Sequence, residues 1–345
     1  RWRFALTEQL SRHTTFHLGG PARRLIVATT EQQLIDAVSG GDSRGEPVLV
    51  LGGGSNVLIA DEGFDGTVVK VASRGVRADI SDCAGADISV AAGETWDDLV
   101  AHAVASGWSG METLSGIPGS VGAVPIQNVG AYGAEVATLI QRVRTWDRAE
   151  GAIRTFAAAE CDFSYRTSRF KREAGRYVVL RVDFQLPLGD LGQPIRYPEL
   201  ARALGVEAGQ RAPAAQVREK VLAIRRGKGM VLDESDHDTW SAGSFFTNPV
   251  LTPEQAAALP AEAARFPAGE GIKTSAAWLI QHAGFPAGYG SGPARLSTRH
   301  VLALTNRGHA ATADVLALAR EIRDRVRERF GITLVPEVNL VGVSI

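Results

Sequence analysis

Two glycine-rich loops contain the residues best suited to hold a ligand. In the first, three glycines, Ser55 and Asn56 follow an apolar strand directly, and in the second, residues 115–122, glycines and serines recur. Consecutive backbone N–H groups in such a turn form a nest for a pyrophosphate, and a missing Cβ lets the backbone approach a ligand closely. Two such loops predict a large ligand with a diphosphate, held from two sides. A tight structural turn and an ordered Ω-loop are the alternatives.

The Rossmann dinucleotide fingerprint does not fit the first loop. It requires a third glycine three positions after Gly54, where this chain has Val57. Asp61 and Gly63 also interrupt the helix that should follow. A nest without a Rossmann unit is therefore the interpretation of the first loop.

Three further side chains are candidates for catalysis. Arg166 lies in a run of cations at 164–172 and can clamp a carboxylate with two hydrogen bonds, although a solvated basic surface is the alternative. Ser244 has small and aromatic neighbours, but Phe246 breaks the G-x-S-x-G pattern, which disfavours a hydrolase nucleophile. Glu337, in an apolar terminal strand, is either the buried partner of an Arg or a catalytic carboxylate. The seven histidines lack ligand spacing, so no metal is predicted.

Short helices and strands in alternation must position these residues, which predicts an α+β fold. Strands are expected at 25–27, 48–51, 67–71, 88–91, 140–146, 153–156, 177–186, 301–305 and 332–335. Helices are expected to begin at Thr30, Thr95, Thr252 and Ser275, near Thr312, and at 214, the last of these ending at Gly227 in a left-handed conformation.

The composition narrows the class of protein. The chain has 345 residues, enough for two or three domains, and its 45% hydrophobic and 22% charged residues exclude intrinsic disorder. With 37 Lys+Arg against 38 Asp+Glu, the net charge of -1 argues against nucleic acid as a main partner. No apolar run reaches the roughly 18 residues of a membrane span. Two well-separated cysteines give no disulfide framework, so a reducing cytoplasm is expected.

Five motifs in register resemble the UDP-N-acetylenolpyruvoylglucosamine reductase (MurB) family, in its longer, first-type branch. The motifs cover nearly the whole chain. They are the first glycine loop, residues 115–133, the Tyr165-Arg166-x-Ser168 run, residues 242–249, and the terminal Pro336-Glu337-Val338.

The resemblance implies an FAD domain of the PCMH or vanillyl-alcohol-oxidase type, built from two α+β halves, and a separate α+β substrate-binding domain. The first half is expected at 1–72 and the second at 73–212, with an excursion near 187–212. The substrate-binding domain is expected at 213–330, and a C-terminal strand at 331–345 carries Glu337.

The reaction implied by the resemblance is the reduction of UDP-N-acetylglucosamine enolpyruvate to UDP-N-acetylmuramate, in peptidoglycan synthesis. FAD is expected to be bound non-covalently and NADPH to be the co-substrate. Arg166 and Glu337 would polarise the substrate carboxylate, and Ser244 would give a proton to C2. No nucleic acid, membrane or protein partner is expected.

The family pattern also assigns the binding residues. Substrate contacts are expected from Tyr165, Tyr197, Lys228 and Asn248, and from His282, which can donate a hydrogen bond where the family usually has Gln. The expected cofactor contacts are Gly52, Gly53, Gly54, Ser55, Asn56, Ser115, Gly116, Pro118, Gly119, Ser120, Gly122, Gln127, Asn128, Gly130, Ala131 and Tyr132.

Two other functions remain open from the residues alone. An oxidase or dehydrogenase of small alcohols or sugars could use the same FAD fold, but it would not explain the motifs around Ser244 and Glu337. A nucleotide-sugar binding or transferase module would use one phosphate loop and no redox chemistry. Flavin absorbance separates the second alternative from a flavoenzyme.

Overall fold

The computed structural model describes residues 4–5 and 8–345. The strands are β1 (Phe4–Ala5), β2 (Ala22–Ala28), β3 (Val48–Leu51), β4 (Val57–Ile59), β5 (Phe64–Val71), β6 (Val76–Ser81), β7 (Gly85–Ala91), β8 (Gly130–Ala131), β9 (Ala134–Glu135), β10 (Ile140–Asp147), β11 (Ala152–Ala157), β12 (Tyr177–Leu186), β13 (Val250–Leu251), β14 (Phe266–Ala268), β15 (Gly271–Lys273), β16 (Ala294–Leu296), β17 (Leu304–Asn306) and β18 (Asn339–Val341). The helices are α1 (Glu31–Ser43), α2 (Trp96–Ala105), α3 (Arg169–Arg172), α4 (Pro198–Leu204), α5 (Ala214–Gly227), α6 (Pro253–Ala257), α7 (Ala276–His282) and α8 (Thr312–Phe330). The mixture confirms the predicted α+β class.

The chain divides into two compact units. Unit 1 comprises Arg1–Glu8, Arg23–Gly53 and Asp65–Arg226, and unit 2 comprises Gln9–Ala22, Gly54–Phe64 and Gly227–Ile345. The functional boundaries expected at 72, 212 and 330 stay a prediction, and residues 1–3 and 6–7 of the first predicted segment lie outside the described residues.

Unit 1 contains two sheets. One is antiparallel with the order β11-β10-β12-β7-β6, and the other has the order β1-β2-β5-β3, in which β3 runs parallel to β5. Fully buried Trp96, Phe156 and Phe184 belong to the core around these sheets. Burial of such side chains stabilises the fold by about 1.5–3 kcal/mol each, which makes a rigid support for the loops at the strand ends.

The predicted excursion near 187–212 folds onto α5. Ile195 and Leu200 are buried with Val217 and Val221 in a small separate core, against which Tyr132 packs. The backbone closes this excursion through Gly192 N–H to Ala212 O (2.9 Å) and Ile195 N–H to Gln210 O (2.8 Å). The excursion is therefore an ordered substructure of unit 1.

Unit 2 is built around α8. Its predicted inward residues Val315, Leu318, Ile322 and Val326 recur at helical spacing along α8, and all four are buried. The helix begins beside Asp61, whose carboxylate accepts the N–H groups of Thr312 (2.7 Å) and Ala313 (3.0 Å). The Asp61 carboxylate satisfies two of the free N–H groups of the first turn, and its negative charge interacts favourably with the positive end of the helix dipole.

Small sheets complete unit 2. They have the orders β13-β15-β14 and β16-β17, and β18 pairs in parallel with β4. Among the described residues, no helix is long and apolar enough to cross a bilayer.

Four sequence-based expectations about the elements are wrong. Gly227 ends α5 without a left-handed turn, and Gly229 takes that conformation instead (φ 65°). The strand expected at 301–305 begins only at Leu304. α2 begins directly after Thr95 as predicted, but the expected cap is missing, because the Thr95 side chain accepts no hydrogen bond from the first turn. Residues 332–335 alternate between buried and exposed as a strand would, but they form none, and the chain pairs only further on, where Pro336 forms a bridge with Phe246.

Candidate active site

The two glycine loops touch each other within unit 1. A Cβ built on Gly53 would lie 2.5 Å from the Cα of Gly119, and one built on Gly52 would lie 2.6 Å from the Oγ of Ser120. Real Cβ atoms do not approach backbone so closely, so Gly53 is required for this contact. The missing Cβ is predicted to let a ligand approach the backbone. At Gly53 it also lets one loop of the protein approach the other.

Lys70 lies beside the first loop. Its ammonium group donates to the carbonyl oxygen of Gly52, and it extends from β5, which pairs with the β3 strand that leads into the loop. Burial, with a smaller contribution from Arg74, lowers the pKa of Lys70 to about 8. A half-buried ammonium donor therefore fixes the carbonyl side of the turn.

Two carboxylates hold the second loop and the segment that leads into it. Glu112 is fully buried and accepts the N–H groups of Gly110 and Gln193, both at 2.6 Å. Asp97 accepts the Gly116 N–H at 2.6 Å and forms a two-armed pair with Arg218 of α5, at 2.6 and 2.9 Å. These contacts join the loop to the excursion and to α5.

The backbone of the two loops can receive an anion. Within the described part of the chain, the N–H groups of Gly53, Ile117, Gly119 and Ser120 have no acceptor. Buried N–H groups normally find an acceptor, and a phosphate is a suitable one for a cluster of N–H groups on adjoining loops. The unit 1 part of the predicted cofactor site therefore fits the diphosphate of FAD.

Asn128 links the predicted cofactor segment to the predicted substrate segment. It is buried with φ 47°, its amide donates to Glu135 Oε2 (2.8 Å) and to Ser164 O (3.1 Å), and its carbonyl accepts Ala137 N–H (3.1 Å). Three of the four hydrogen bonds available to an amide are thus internal. The contact of Asn128 with a cofactor stays a prediction, and its visible role is to fasten the chain next to Tyr165 and Arg166.

Arg166 lies against the predicted cofactor segment. Its Nη1 atom would be 3.4 Å from a Cβ on Gly130, and its guanidinium is 5.7 Å from the ring centroid of Tyr165. The Arg166 backbone has φ 54°, and its carbonyl accepts the ammonium of Lys171 at 3.0 Å. A left-handed backbone at a non-glycine residue is strained and is frequent at functional sites.

Tyr132 and Tyr197 meet edge to face. Their ring centroids are 5.4 Å apart, which brings a predicted cofactor residue and a predicted substrate residue together in unit 1. Burial raises the pKa of Tyr132, and the nearby Arg225 opposes this shift. Tyr197 is partly exposed on the excursion, with 40% of its surface accessible.

Backbone pairing brings Ser244 and Glu337 close within unit 2. The Glu337 N–H donates to Phe245 O (2.8 Å), Phe246 forms a bridge with Pro336, and Asn56 Nδ2 donates to Glu337 O (3.2 Å). Ser244 is half-buried and follows Gly243, which has φ 72°. Glu337 was expected in a buried terminal strand; it is half-buried and precedes β18.

Two other predicted substrate residues of unit 2 have local partners. Asn248 Oδ1 accepts the Ala276 N–H at 2.9 Å, at the start of α7. The exposed His282 stacks on Trp278 with 3.9 Å between centroids, and its Nδ1 lies 2.8 Å from Trp278 O. Lys228 is half-buried in the loop after α5. Their substrate contacts stay predictions. Among the described residues, no group of three or more His, Cys, Asp or Glu could hold a metal ion.

Sequence reasoning overlooked the residues that hold these loops. Asp97 and Lys70 contact loop backbone 19 and 18 residues away in the sequence, Glu112 contacts the excursion 81 residues away, and no motif marks them. The available signal was weak: Glu112 is a single carboxylate in an apolar stretch, where an unsatisfied charge would be expensive.

The α+β fold and the two contacting loops, taken with two family matches, define the class of the protein as an FAD-binding α+β protein with a distinct C-terminal domain. Residues 22–157 match the family described as FAD binding domain. Residues 234–341 match the family described as UDP-N-acetylenolpyruvoylglucosamine reductase, C-terminal domain.

Relatives extend this match to nearly the whole chain. It is 59% identical over 336 residues to the UDP-N-acetylenolpyruvoylglucosamine reductase of Cutibacterium acnes, covering 96% of this chain and 89% of the relative. It is 57% identical to that of Streptomyces coelicolor, covering 96% and 88%. The crystal structure of the reductase (MurB) from Thermus caldophilus has a TM-score of 0.67 at 27% identity and covers 99% of both chains. The chain belongs to the UDP-N-acetylenolpyruvoylglucosamine reductase family, which confirms the resemblance.

Proposed function

We propose that this chain reduces UDP-N-acetylglucosamine enolpyruvate to UDP-N-acetylmuramate, with NADPH as the reductant, in the synthesis of peptidoglycan precursors. The observation that carries the proposal is the 59% identity, over 96% of the chain, to a relative named as this reductase. The pairing of the Ser244 and Glu337 segments supports it, because the reaction needs a proton donor and a polarising group on one substrate.

The residues of unit 1 suit FAD held without a covalent bond. When bound, FAD supplies hydride transfer, from NADPH to the enolpyruvyl double bond. The N–H groups of Gly53, Ile117, Gly119 and Ser120 would hold its diphosphate. Neither glycine loop contains a His or Cys that could attach the flavin.

Arg166 and Glu337 act on the substrate carboxylate. Hydride addition at C3 of the enolpyruvyl group leaves negative charge at C2, and this charge spreads into the carboxylate. The planar guanidinium of Arg166 offers paired donors to the two carboxylate oxygens as that charge develops. Glu337 assists as a hydrogen-bonding group on the same carboxylate, held at its backbone by Phe245.

Ser244 supplies the proton that C2 requires. Its hydroxyl is a weak acid in water, but the developing carbanion is strongly basic, so proton transfer is favourable when the two are in contact. The Ser244 oxygen then takes a proton back from solvent. The half-buried position after Gly243 fixes the hydroxyl while leaving it access to water.

The remaining residues bind the nucleotide. Lys228 contacts the diphosphate of the UDP group, Tyr165 and Tyr197 cover the substrate, and Asn248 and His282 contribute hydrogen bonds to it.

An NADPH oxidation assay tests the function. The purified protein should be yellow, and it should consume NADPH rapidly only when the enolpyruvyl nucleotide is added. Equal NADPH consumption without the nucleotide, or with a simple alcohol in its place, would point to an oxidase or dehydrogenase of another substrate. A colourless protein that cannot be loaded with FAD would contradict the flavin assignment.

Ser244→Ala tests the proton donor. NADPH should still bleach the flavin absorbance at close to the normal rate, whereas recovery of the absorbance on adding the enolpyruvyl nucleotide should slow by about 10²–10⁴-fold, as for loss of a general acid. Ser244→Cys is the matched comparison: a thiol can also give up a proton, so this variant should slow less than Ser244→Ala. Equal slowing in both variants, or of both half-reactions, would assign Ser244 to the turn.

A further inference from the structure

A long irregular loop connects Lys228, the residue predicted to contact the substrate phosphates, to Ser244, the predicted proton donor. Lys228 directly follows α5, Ser244 lies 16 residues later, and between them the chain forms only a short 3₁₀ turn, His237–Thr239. Loops of this length are uncommon in compact units unless they are functional. The position of both side chains therefore depends on what fixes this loop.

Asp238 is the most heavily bonded group of the loop. It is 3% exposed, and its carboxylate accepts from Ser297 Oγ (2.8 Å), Thr298 N (3.0 Å) and Thr298 Oγ1 (3.1 Å). It also accepts from Arg299 Nε (3.1 Å) and Arg307 Nη1 (2.8 Å). A carboxylate has about four acceptor sites, so this one is saturated and its charge is opposed by two guanidinium groups.

The Lys228 end of the loop rests against this cluster. Gly229 has φ 65°, and a Cβ there would lie 3.3 Å from Asp238 O and 3.6 Å from Arg299 Nε. The backbone next to Lys228 is thus in contact with Asp238 and its Arg partner.

The Ser244 end is connected through a series of hydrogen bonds. Thr239 O accepts the Ser241 N–H (2.9 Å), and Ser241 Oγ accepts the Gly243 N–H (3.1 Å). Asn306 N–H, from β17, holds Trp240 O at 3.0 Å. The turn that contains Asp238 is therefore connected to Ser244 by a short segment whose residues hydrogen-bond to one another.

We propose that Asp238 is a positioning residue that sets the spacing between Lys228 and Ser244. This inference rests on the proposed function. The diphosphate and the enolpyruvyl C2 belong to one substrate, so the two side chains must engage it together. A displacement of about 1 Å can reduce the rate of a positioned reaction by about 100-fold.

Asp238→Asn in the full-length, FAD-loaded protein tests the proposal. Asn keeps the shape but presents an NH₂ group to a cluster of donors, and it removes the anionic acceptor of Arg307 and one of the two that Arg299 has, the other being Asp236. The KM for the enolpyruvyl nucleotide should rise, and absorbance recovery on its addition should slow, each by about tenfold or more. Flavin content and bleaching by NADPH should be unchanged.

Asp233→Asn is the matched control. Asp233 lies in the same loop and loses the same charge, but its carboxylate accepts only from Ser235, through N (2.9 Å) and Oγ (2.6 Å), among the described residues. It should match the unaltered protein in both half-reactions. Arg307→Gln, which removes one donor to Asp238, should show a weaker form of the Asp238→Asn pattern and serves if Asp238→Asn fails to fold.

Three results would overturn the proposal. Asp238→Asn could behave like Asp233→Asn. It could lose thermal stability, flavin content and both half-reactions in parallel, as expected of a purely structural residue. Alternatively, the unaltered protein could show no absorbance recovery with the enolpyruvyl nucleotide, which would refute the proposed function and this role with it.

Discussion

Replacing Gly53 by Ala tests whether the two glycine loops must touch for the flavin to bind. The added Cβ would meet the Cα of Gly119 at 2.5 Å, its carbonyl carbon at 2.9 Å and Ser120 N at 3.1 Å. Carbon atoms in contact are normally about 3.5–4.0 Å apart, so the loops would have to separate by about 1 Å. These atoms are backbone and cannot rotate away.

Gly52→Ala is the matched control because it adds the same methyl group at the neighbouring position. There the near atom is Ser120 Oγ, at 2.6 Å, which lies at the end of a side chain that can turn. Gly54 is a poor choice, since a Cβ would lie 1.9 Å from His13 O and φ is +69°, so any substitution would disturb unit 2 directly.

The expected magnitude follows from overpacking. Forcing an extra methyl group into close-packed structure destabilises it by about 1–3 kcal/mol. If the loops separate to relieve this strain, FAD binding must bring them back into strained contact. The dissociation constant for FAD should then rise roughly 5- to 150-fold, at about 1.4 kcal/mol per factor of ten. Gly52→Ala should change it much less.

Titration of flavin-free protein with FAD, followed by quenching of flavin fluorescence, measures this difference. Circular dichroism and thermal melts of the flavin-free variants report separately on folding. Equal FAD affinity in the two variants, with equal melting temperatures, would refute the reasoning that loop contact governs flavin binding.

Three further predictions concern single side chains. Arg166→Lys should lose most of its activity although the charge remains, because an ammonium cannot reproduce the planar fork; steady-state kinetics with melting temperatures separate this from a fold defect. Glu337→Gln should lose less activity than Glu337→Ala if the residue acts through a hydrogen bond, and equal losses in the same assay would contradict that role. The pKa of Lys70 is about 8 in the fold and 10.5 ordinarily, so the unfolded chain binds more protons between these values and stability should rise with pH there. As the pH is raised from 7 to 10, the melting temperature of the unaltered protein should therefore rise relative to that of Lys70→Met.

The strands were predictable where the sequence marks both pattern and ends. β3 and β12 match the expected bounds 48–51 and 177–186, because β3 is an apolar run closed by Gly52 and β12 is an apolar run that continues in alternation with polar residues up to Pro187. β6 is exposed at every position and has no buried face, so no pattern could reveal it. Its pairing with β7 depends on the partner strand being nearby.

The candidate site was predictable in its loops but not in its supports. Glycine content identified both loops from sequence. The contact of Gly53 with Gly119 joins positions far apart in the chain, and so does the bond from Gln193 N–H to Glu112. Such contacts depend on tertiary packing, which single-sequence periodicity does not encode.

The supports share one chemistry, which explains why acidic residues surround loops that are suited to an anion. A loop lacks the ladder partners of a strand, so its N–H groups need other acceptors or a ligand. Glu112 and Asp97 each accept a backbone N–H group, and Asp97 pairs with Arg218 as well. The negative charge of these carboxylates is therefore balanced by the donors that they already bind. The N–H groups left over, among them those of Gly53 and Gly119, are the ones that remain for a phosphate.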